Sequence, residues 1–391
     1  MRFCVTCGII NSESIFFYSR TEEFMSEFIQ RNVFEAPSFT LENGRTIPLC
    51  LGYETYGTLN EAKDNAVLVP HPFSQFGHAA GVYSPDDAMP GYWDGLIGPG
   101  KGIDTSRYFV ISPDSLCCIP ARNPLVKTTG PMTINAATGK PYGLRFPVVT
   151  MRDIARTQKL LVESLGITRL HAAAGASMGG MIAMHLALDA PSFVGRLLGV
   201  VTSPVNPLPA SMQFMHLIPG EADPAFNHGD YYDGHFPVKA MTEVTENLII
   251  NAYTPRFIEN LFPRSSADES AYQDINNKMG FEAALEEMAR SMSVYSDYNS
   301  WIYSCRITAG HNIARGHENM KEALAPLTAA TLLISNQQDS FEPPPYSKTM
   351  VKDLKELGKQ ADFVLFDDPF GHMAAFARPD LFSDKVKAFL C

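Results

Sequence analysis

No run of apolar residues in this 391-residue chain approaches the ~18–20 that a membrane-spanning helix needs. Internal repeats and low-complexity tracts are also missing, which sets aside solenoids and linker-like chains. Positive charge is in deficit: 31 Lys and Arg stand against 42 Asp and Glu, a net −11, without a Lys/Arg cluster. Such a chain is a poor partner for nucleic acid or an anionic membrane, so a small-molecule substrate is expected. The seven cysteines (4, 7, 50, 117, 118, 305 and 391) are odd in number and irregularly spaced, which argues against a disulfide framework. Cys4-Val-Thr-Cys7 is a lone CxxC with no second pair, read as an accident of the N-terminus. The first twenty residues are mildly apolar but broken at Asn11-Ser12-Glu13-Ser14, a weak signal peptide at best, and a cytoplasmic location is expected. What is present is a 45% hydrophobic composition, ample for a sizeable core.

The apolar segments fall into a rhythm. Residues 1–35 read as an N-terminal extension, with helix expected over part of Glu22–Gln30. Strands are expected at Ser38–Glu42 and Ile47–Glu54 around an Asn43-Gly44 turn. Buried-type strands at Ala66–Pro70, Tyr108–Ser112, Leu170–Gly175 and Leu197–Thr202 then alternate with helical patterns. From 205 to 317 the rhythm stops, leaving helices and Pro-rich turns, and it resumes at Ala330–Ser335 and Asp362–Phe366. This predicts a mostly parallel sheet flanked by helices, formed by 36–204 and 318–391, with a helical cap (205–317) inserted between late strands.

The strongest local signal is Gly175-Ala176-Ser177-Met178-Gly179, a GxSxG placed where a strand turns into a helix. Such a turn needs small flanking residues and holds the serine hydroxyl at its tip, so Ser177 is the candidate nucleophile. The N–H of Met178, at the helix start, is a candidate oxyanion donor. The second donor is expected from the loop His71-Pro72-Phe73-Ser74 after the Ala66–Pro70 strand, at the Phe73 N–H. A serine needs a base, and the base an orienting carboxylate, in the order Ser, acid, His. Asp339 follows the Ala330–Ser335 strand and His372 follows Asp362–Phe366. The other histidines precede Asp339. Asp367 and Asp368 share a turn with His372 and suit capping better. His71 and His78 lack a suitably spaced third ligand and are read as loop packing; no metal site is expected.

With these residues in hand, the stretch from about Phe39 to Leu390 resembles the homoserine O-acetyltransferase-like family of the α/β-hydrolase superfamily. The likeness rests on Gly52-Tyr53-Glu54-Thr55-Tyr56-Gly57-Thr58-Leu59-Asn60, Tyr92-Trp93-Asp94-Gly95-Leu96-Ile97-Gly98-Pro99-Gly100 and Ser177-Met178-Gly179-Gly180-Met181. It continues through Asp223-Pro224, Gly229-Asp230-Tyr231, Asp297 to Tyr303, Asp339 and Gly371-His372-Met373. The resemblance implies the α/β-hydrolase fold and a ping-pong reaction in which an acyl-CoA or other thioester acylates Ser177 and a small hydroxyl substrate accepts the group. It also implies a homodimer built through the cap, with no bound cofactor.

One position departs from the family. Members that acetylate homoserine carry an arginine about six residues before the Asp-Pro pair, to hold the substrate carboxylate; here that position is Leu217. Leucine cannot pair with a carboxylate, which leads to the expectation that the acceptor is not homoserine. The alternative is an esterase, thioesterase or acyl-chain-fusing enzyme. Arg306 is the candidate replacement cation, and Tyr231 a further candidate substrate contact. Cys117 and Cys118 lie in a loop leaving the active edge of the sheet, where a thiol could handle an acyl group. The plainer reading is a pair of small buried side chains.

Overall fold

The computed structural model describes residues 28–87, 89–207, 218–262 and 269–391. Cys4, Cys7, most of the Glu22–Gln30 helix and Leu217 lie outside them. Eight strands form the central sheet: β1 (Asn32–Thr40), β2 (Thr46–Tyr56), β3 (Ala66–Leu68), β4 (Phe109–Pro113), β5 (Leu170–Ala176), β6 (Val194–Val200), β7 (Ala330–Asn336) and β8 (Ala361–Phe366). Their spatial order is β1-β2-β4-β3-β5-β6-β7-β8. β1/β2 and β2/β4 are antiparallel, and the remaining neighbours are parallel.

Helices cover both faces, so the inner strands are apolar on each side. Ala173, Leu197 and Leu333 point to the face covered by α1 (Met151–Ser164), α2 (Met178–Asp189) and α7 (Pro344–Glu356). Ala172, Ala174, Leu198, Val200 and Ile334 point to the other, closed by Phe382 and by Val386 and Leu390 of α8 (Ser383–Leu390). β5 turns the small residues Ala173 and Gly175 toward α2, which lets the helix lie close against the sheet. Helix α1 starts at a capping box, with Thr150 and Asp153 satisfying each other's backbone N–H.

Sequence and structure part company at the N-terminal edge. β1 begins at Asn32, inside the stretch read as extension, and pairs with β2 from Asn32↔Tyr53 onward. Edge strands expose much of their length, and this one shows little apolar alternation to betray it. It is anchored at its start by Arg31, whose guanidinium bonds buried Glu54 (2.8 Å) and buried Asp114 (2.5 Å).

Between β6 and β7 lie the cap helices α3 (Val238–Ala252), α4 (Pro255–Leu261), α5 (Gly280–Met292) and α6 (Tyr298–Ala309). Among the described residues this segment contributes no strand to the sheet, only an isolated bridge, Val205↔Asn312. Asp297 caps α6 by accepting from Ser300 N–H at 2.8 Å. The helix is tied to the core by Ser304 Oγ, which donates to Cys117 O at 3.0 Å, and by Tyr303, which donates to Phe146 O.

Candidate active site

The strand register brings the candidate residues to one edge. Ala176, Val200 and Ile334 are direct partners across β5, β6 and β7, and Asn336 pairs with Phe366 across β7 and β8. Ser177, Asp339 and His372 follow the C-terminal ends of β5, β7 and β8, so all three leave the sheet on the same side.

Ser177 joins β5 to α2 with φ 53° and ψ −126°, a conformation a non-glycine residue adopts only when its surroundings impose it. The surroundings are visible in the neighbouring glycines. A Cβ on Gly175 would stand 2.2 Å from the Gly179 carbonyl carbon, and one on Gly179 would stand 2.2 Å from Pro70 O. The elbow is therefore pressed against the chain that leads into Phe73. Ser177 N–H donates to Val200 O (3.0 Å), and Thr202 Oγ1 donates to Ser177 O (2.9 Å), locking the turn to the next strand. Neither the Met178 N–H nor the Phe73 N–H has a hydrogen-bond acceptor among the described residues. Phe73 is held edge-on against Trp301 of the cap, with ring centroids 5.1 Å apart.

His372 Nδ1 and Asp339 Oδ2 are 2.8 Å apart, both residues buried. Asp339 Oδ1 accepts from the N–H groups of Phe341 (2.8 Å) and Glu342 (2.9 Å), so its carboxylate is oriented from both sides. Among the described residues the His372 Nε2 has no hydrogen-bond partner. Asn336 fastens the two loops together: its Nδ2 donates to Asp368 O and Gly371 O at 2.8 and 2.7 Å, and its Oδ1 accepts from Asp368 N–H at 3.0 Å. Sequence reading missed Asn336 and Glu342. An asparagine ending a strand carries no signal until its partner loop is known.

None of the other candidates hydrogen-bonds to Ser177, Asp339 or His372 among the described residues. Tyr231 is fully buried in the cap, where its hydroxyl donates to Asp297 Oδ1 (2.6 Å) and accepts from Asn299 N–H (2.7 Å), leaving it committed to the cap's own packing. Arg306 is exposed on α6 and forms no ion pair among the described residues. Cys117 and Cys118 are buried, and burial pushes both thiols well above the usual range, which leaves little thiolate for acyl transfer. Cys118 Sγ donates to Gln75 O at 3.5 Å and lies 3.7 Å from His71 Nε2. His71 is a loop-packing residue, its Nδ1 2.8 Å from Pro72 O and its Nε2 accepting from Ser115 N–H at 3.1 Å. His78 meets Glu54 at 3.1 Å and stacks on Tyr83. No cluster of three or more His, Cys, Asp or Glu suited to a metal occurs among the described residues.

A strained serine elbow on a mostly parallel eight-stranded sheet, with a late Asp–His pair at the same edge, defines the class. The alpha/beta hydrolase fold family model matches residues 88–379. Within that fold, the chain belongs to the homoserine O-acetyltransferase-like family. It is 33% identical over 354 residues to the homoserine O-acetyltransferase of Deferribacter desulfuricans, covering 90% of this chain and 92% of the relative. Among solved structures it matches homoserine O-acetyltransferase from Bacillus anthracis at 40% identity and TM-score 0.90, covering 93% and 98% of the two chains. Esterase E22 matches at 35% identity and TM-score 0.89, covering 93% and 100%.

These relatives overturn one expectation. Leu217 led to the view that homoserine is not the acceptor, yet relatives named for homoserine acetylation match nine tenths of the chain. A single side chain, outside the described residues, is a weaker guide than likeness spread over the whole fold.

Proposed function

We propose that the protein is an acyltransferase that moves an acetyl group to the hydroxyl of homoserine through an acyl-Ser177 intermediate, with an acetyl thioester such as acetyl-CoA as donor. The observation that carries the reading is the 33–40% identity to homoserine O-acetyltransferases across nine tenths of the chain. The site chemistry supports it. Ser177 Oγ attacks the donor carbonyl while His372 takes its proton, and Asp339 holds the imidazole in the required tautomer. The N–H groups of Met178 and Phe73 receive the oxyanion of the tetrahedral intermediate. His372 returns the proton to the departing thiolate. In the second half the acceptor hydroxyl gives its proton to His372 and attacks the acyl-serine, releasing the ester and restoring Ser177.

A homodimer through the cap belongs to the same proposal, and light scattering on the purified protein tests it. The activity is tested by incubating the protein with acetyl-CoA and L-homoserine, measuring O-acetylhomoserine and free acetate, and taking intact mass without acceptor. Acetylated Ser177 together with O-acetylhomoserine is the expected result. Acetate as the sole product at saturating homoserine would overturn the transferase assignment, as would a mass that never rises by an acetyl group.

A further inference from the structure

The turn that carries Asp339 brings a second carboxyl group back beside it. Glu342 is 3% exposed, and its backbone N–H donates to Asp339 Oδ1 at 2.9 Å. Its Oε2 is buried without a hydrogen-bond partner, as is the Ser203 hydroxyl in the loop after β6. No lysine or arginine pairs with Glu342 among the described residues. An ionised carboxylate in that setting would carry an uncompensated charge, which proteins avoid by leaving the group protonated.

Among the described residues, the histidines packed against Ser203 bring no positive charge. His311 holds Ser203 O through Nε2 at 2.9 Å, and His185 Nε2 lies 3.2 Å from His311 Nδ1. Burial lowers His311 to about 4 and His185 well below the ordinary histidine value, so neither is a cation at neutral pH. Asp339 is the charged group that bears on Glu342, with His372 on its far side. Burial drives the Glu342 carboxyl well above the carboxylate range, and the charge of Asp339 adds to it.

We propose that Glu342 is a positioning residue that acts on the Asp339–His372 pair as a neutral carboxylic acid, its backbone holding the Asp339 carboxylate and its side chain withholding a second negative charge from it. The proposal rests on the triad reading above. A second negative charge would bear on the Asp339 carboxylate and, through it, on the imidazole that must accept the Ser177 proton.

Glu342→Gln copies the shape of the protonated acid. The expected result is an acidic limb of the kcat/KM profile at the wild-type pH, and kcat within about twofold. Infrared difference spectra of wild type against E342Q at neutral pH should contain a protonated carboxyl band that shifts in D2O. Glu342→Ala empties a buried site against the turn that carries Asp339, so kcat is expected to fall about tenfold with KM little changed, restored in E342Q. An acidic limb moved down by about one unit or more in E342Q would overturn the proposal, because it would mean a charge had been removed. So would the missing band, or an Ala variant as active as wild type. Should the Ala variant not fold, the band and the E342Q profile still decide. Failure of the triad reading is separable: His372→Ala would then stay active, while the infrared band would still report the state of Glu342.

Discussion

At the scale of single residues, Ser177, His372 and Asp339 are expected to behave as one unit. Ser177→Ala should lower turnover by ~10⁴ or more with folding nearly unchanged, since the hydroxyl contributes little to packing. Because the three share one proton-transfer step, the Ser177→Ala/His372→Ala double variant should lose little more than either single one. Steady-state rates on all three variants check this, and independent, multiplying effects would count against the unit. Asn336 acts through contacts rather than chemistry. Asn336→Ala removes its two amide bonds into the His372 loop and leaves Asp368 N–H without its acceptor. A stability loss of about 2 kcal/mol is expected, with at least a tenfold fall in kcat from a displaced imidazole. Urea titration beside turnover measurements gives both numbers.

At the scale of the element, the strand–turn–helix of β5 and α2 depends on missing side chains. Gly179→Ala would press a methyl group to 2.2 Å from Pro70 O, a backbone atom with no side-chain freedom to yield, so something must move. Overpacking of this kind costs about 1–3 kcal/mol. The segment pushed aside leads to Phe73, so acyl transfer should fall by more than the stability loss accounts for. Thermal unfolding and kcat of the same variant separate the two, and unchanged kcat in a destabilised protein would argue against a Phe73 oxyanion donor. The elbow was legible in sequence because its requirement is local: small residues at fixed offsets around a serine. β1 was not legible from Asn32, because an edge strand exposing much of its length, with only Phe34 and Ala36 half-buried before Phe39, has too little buried face to impose a pattern.

At the scale of the molecule, buried neutral histidines tie stability to pH. His71 and His311 are both lowered by burial to about 4, against about 6.5 in the unfolded chain. Between those values the unfolded state binds more protons, so stability is full above about pH 6.5 and falls as the pH drops toward 4. Each histidine contributes up to about 3 kcal/mol to that loss. Denaturant titrations from pH 7.5 to 4.5 should trace it, and a leucine or glutamine at position 311 should flatten the curve; a flat wild-type curve would mean these imidazoles are not buried neutral. The same scale sets how the cap meets the site. Trp301 reaches Phe73, and Thr254 Oγ1 donates to Pro369 O at 2.7 Å, so the inserted helices touch both the loop of Phe73 and the loop of His372.

Legible in the sequence were the mostly parallel α/β sheet, from the period of its buried apolar residues, and the strand–turn–helix at Ser177, from short-range sterics; the hydrolase family came from the resemblance of whole motifs. Tertiary structure was needed to show that the Tyr231 hydroxyl is held between Asp297 and Asn299, that Arg306 faces solvent, and that Arg31 closes onto Glu54 and Asp114 from a stretch that read as a tail. It alone brought Asn336 and Glu342 to the Asp339–His372 pair. Those roles depend on which loops converge at the end of a sheet. A polar side chain carries no mark of its partner until the strands that deliver the partner are in register.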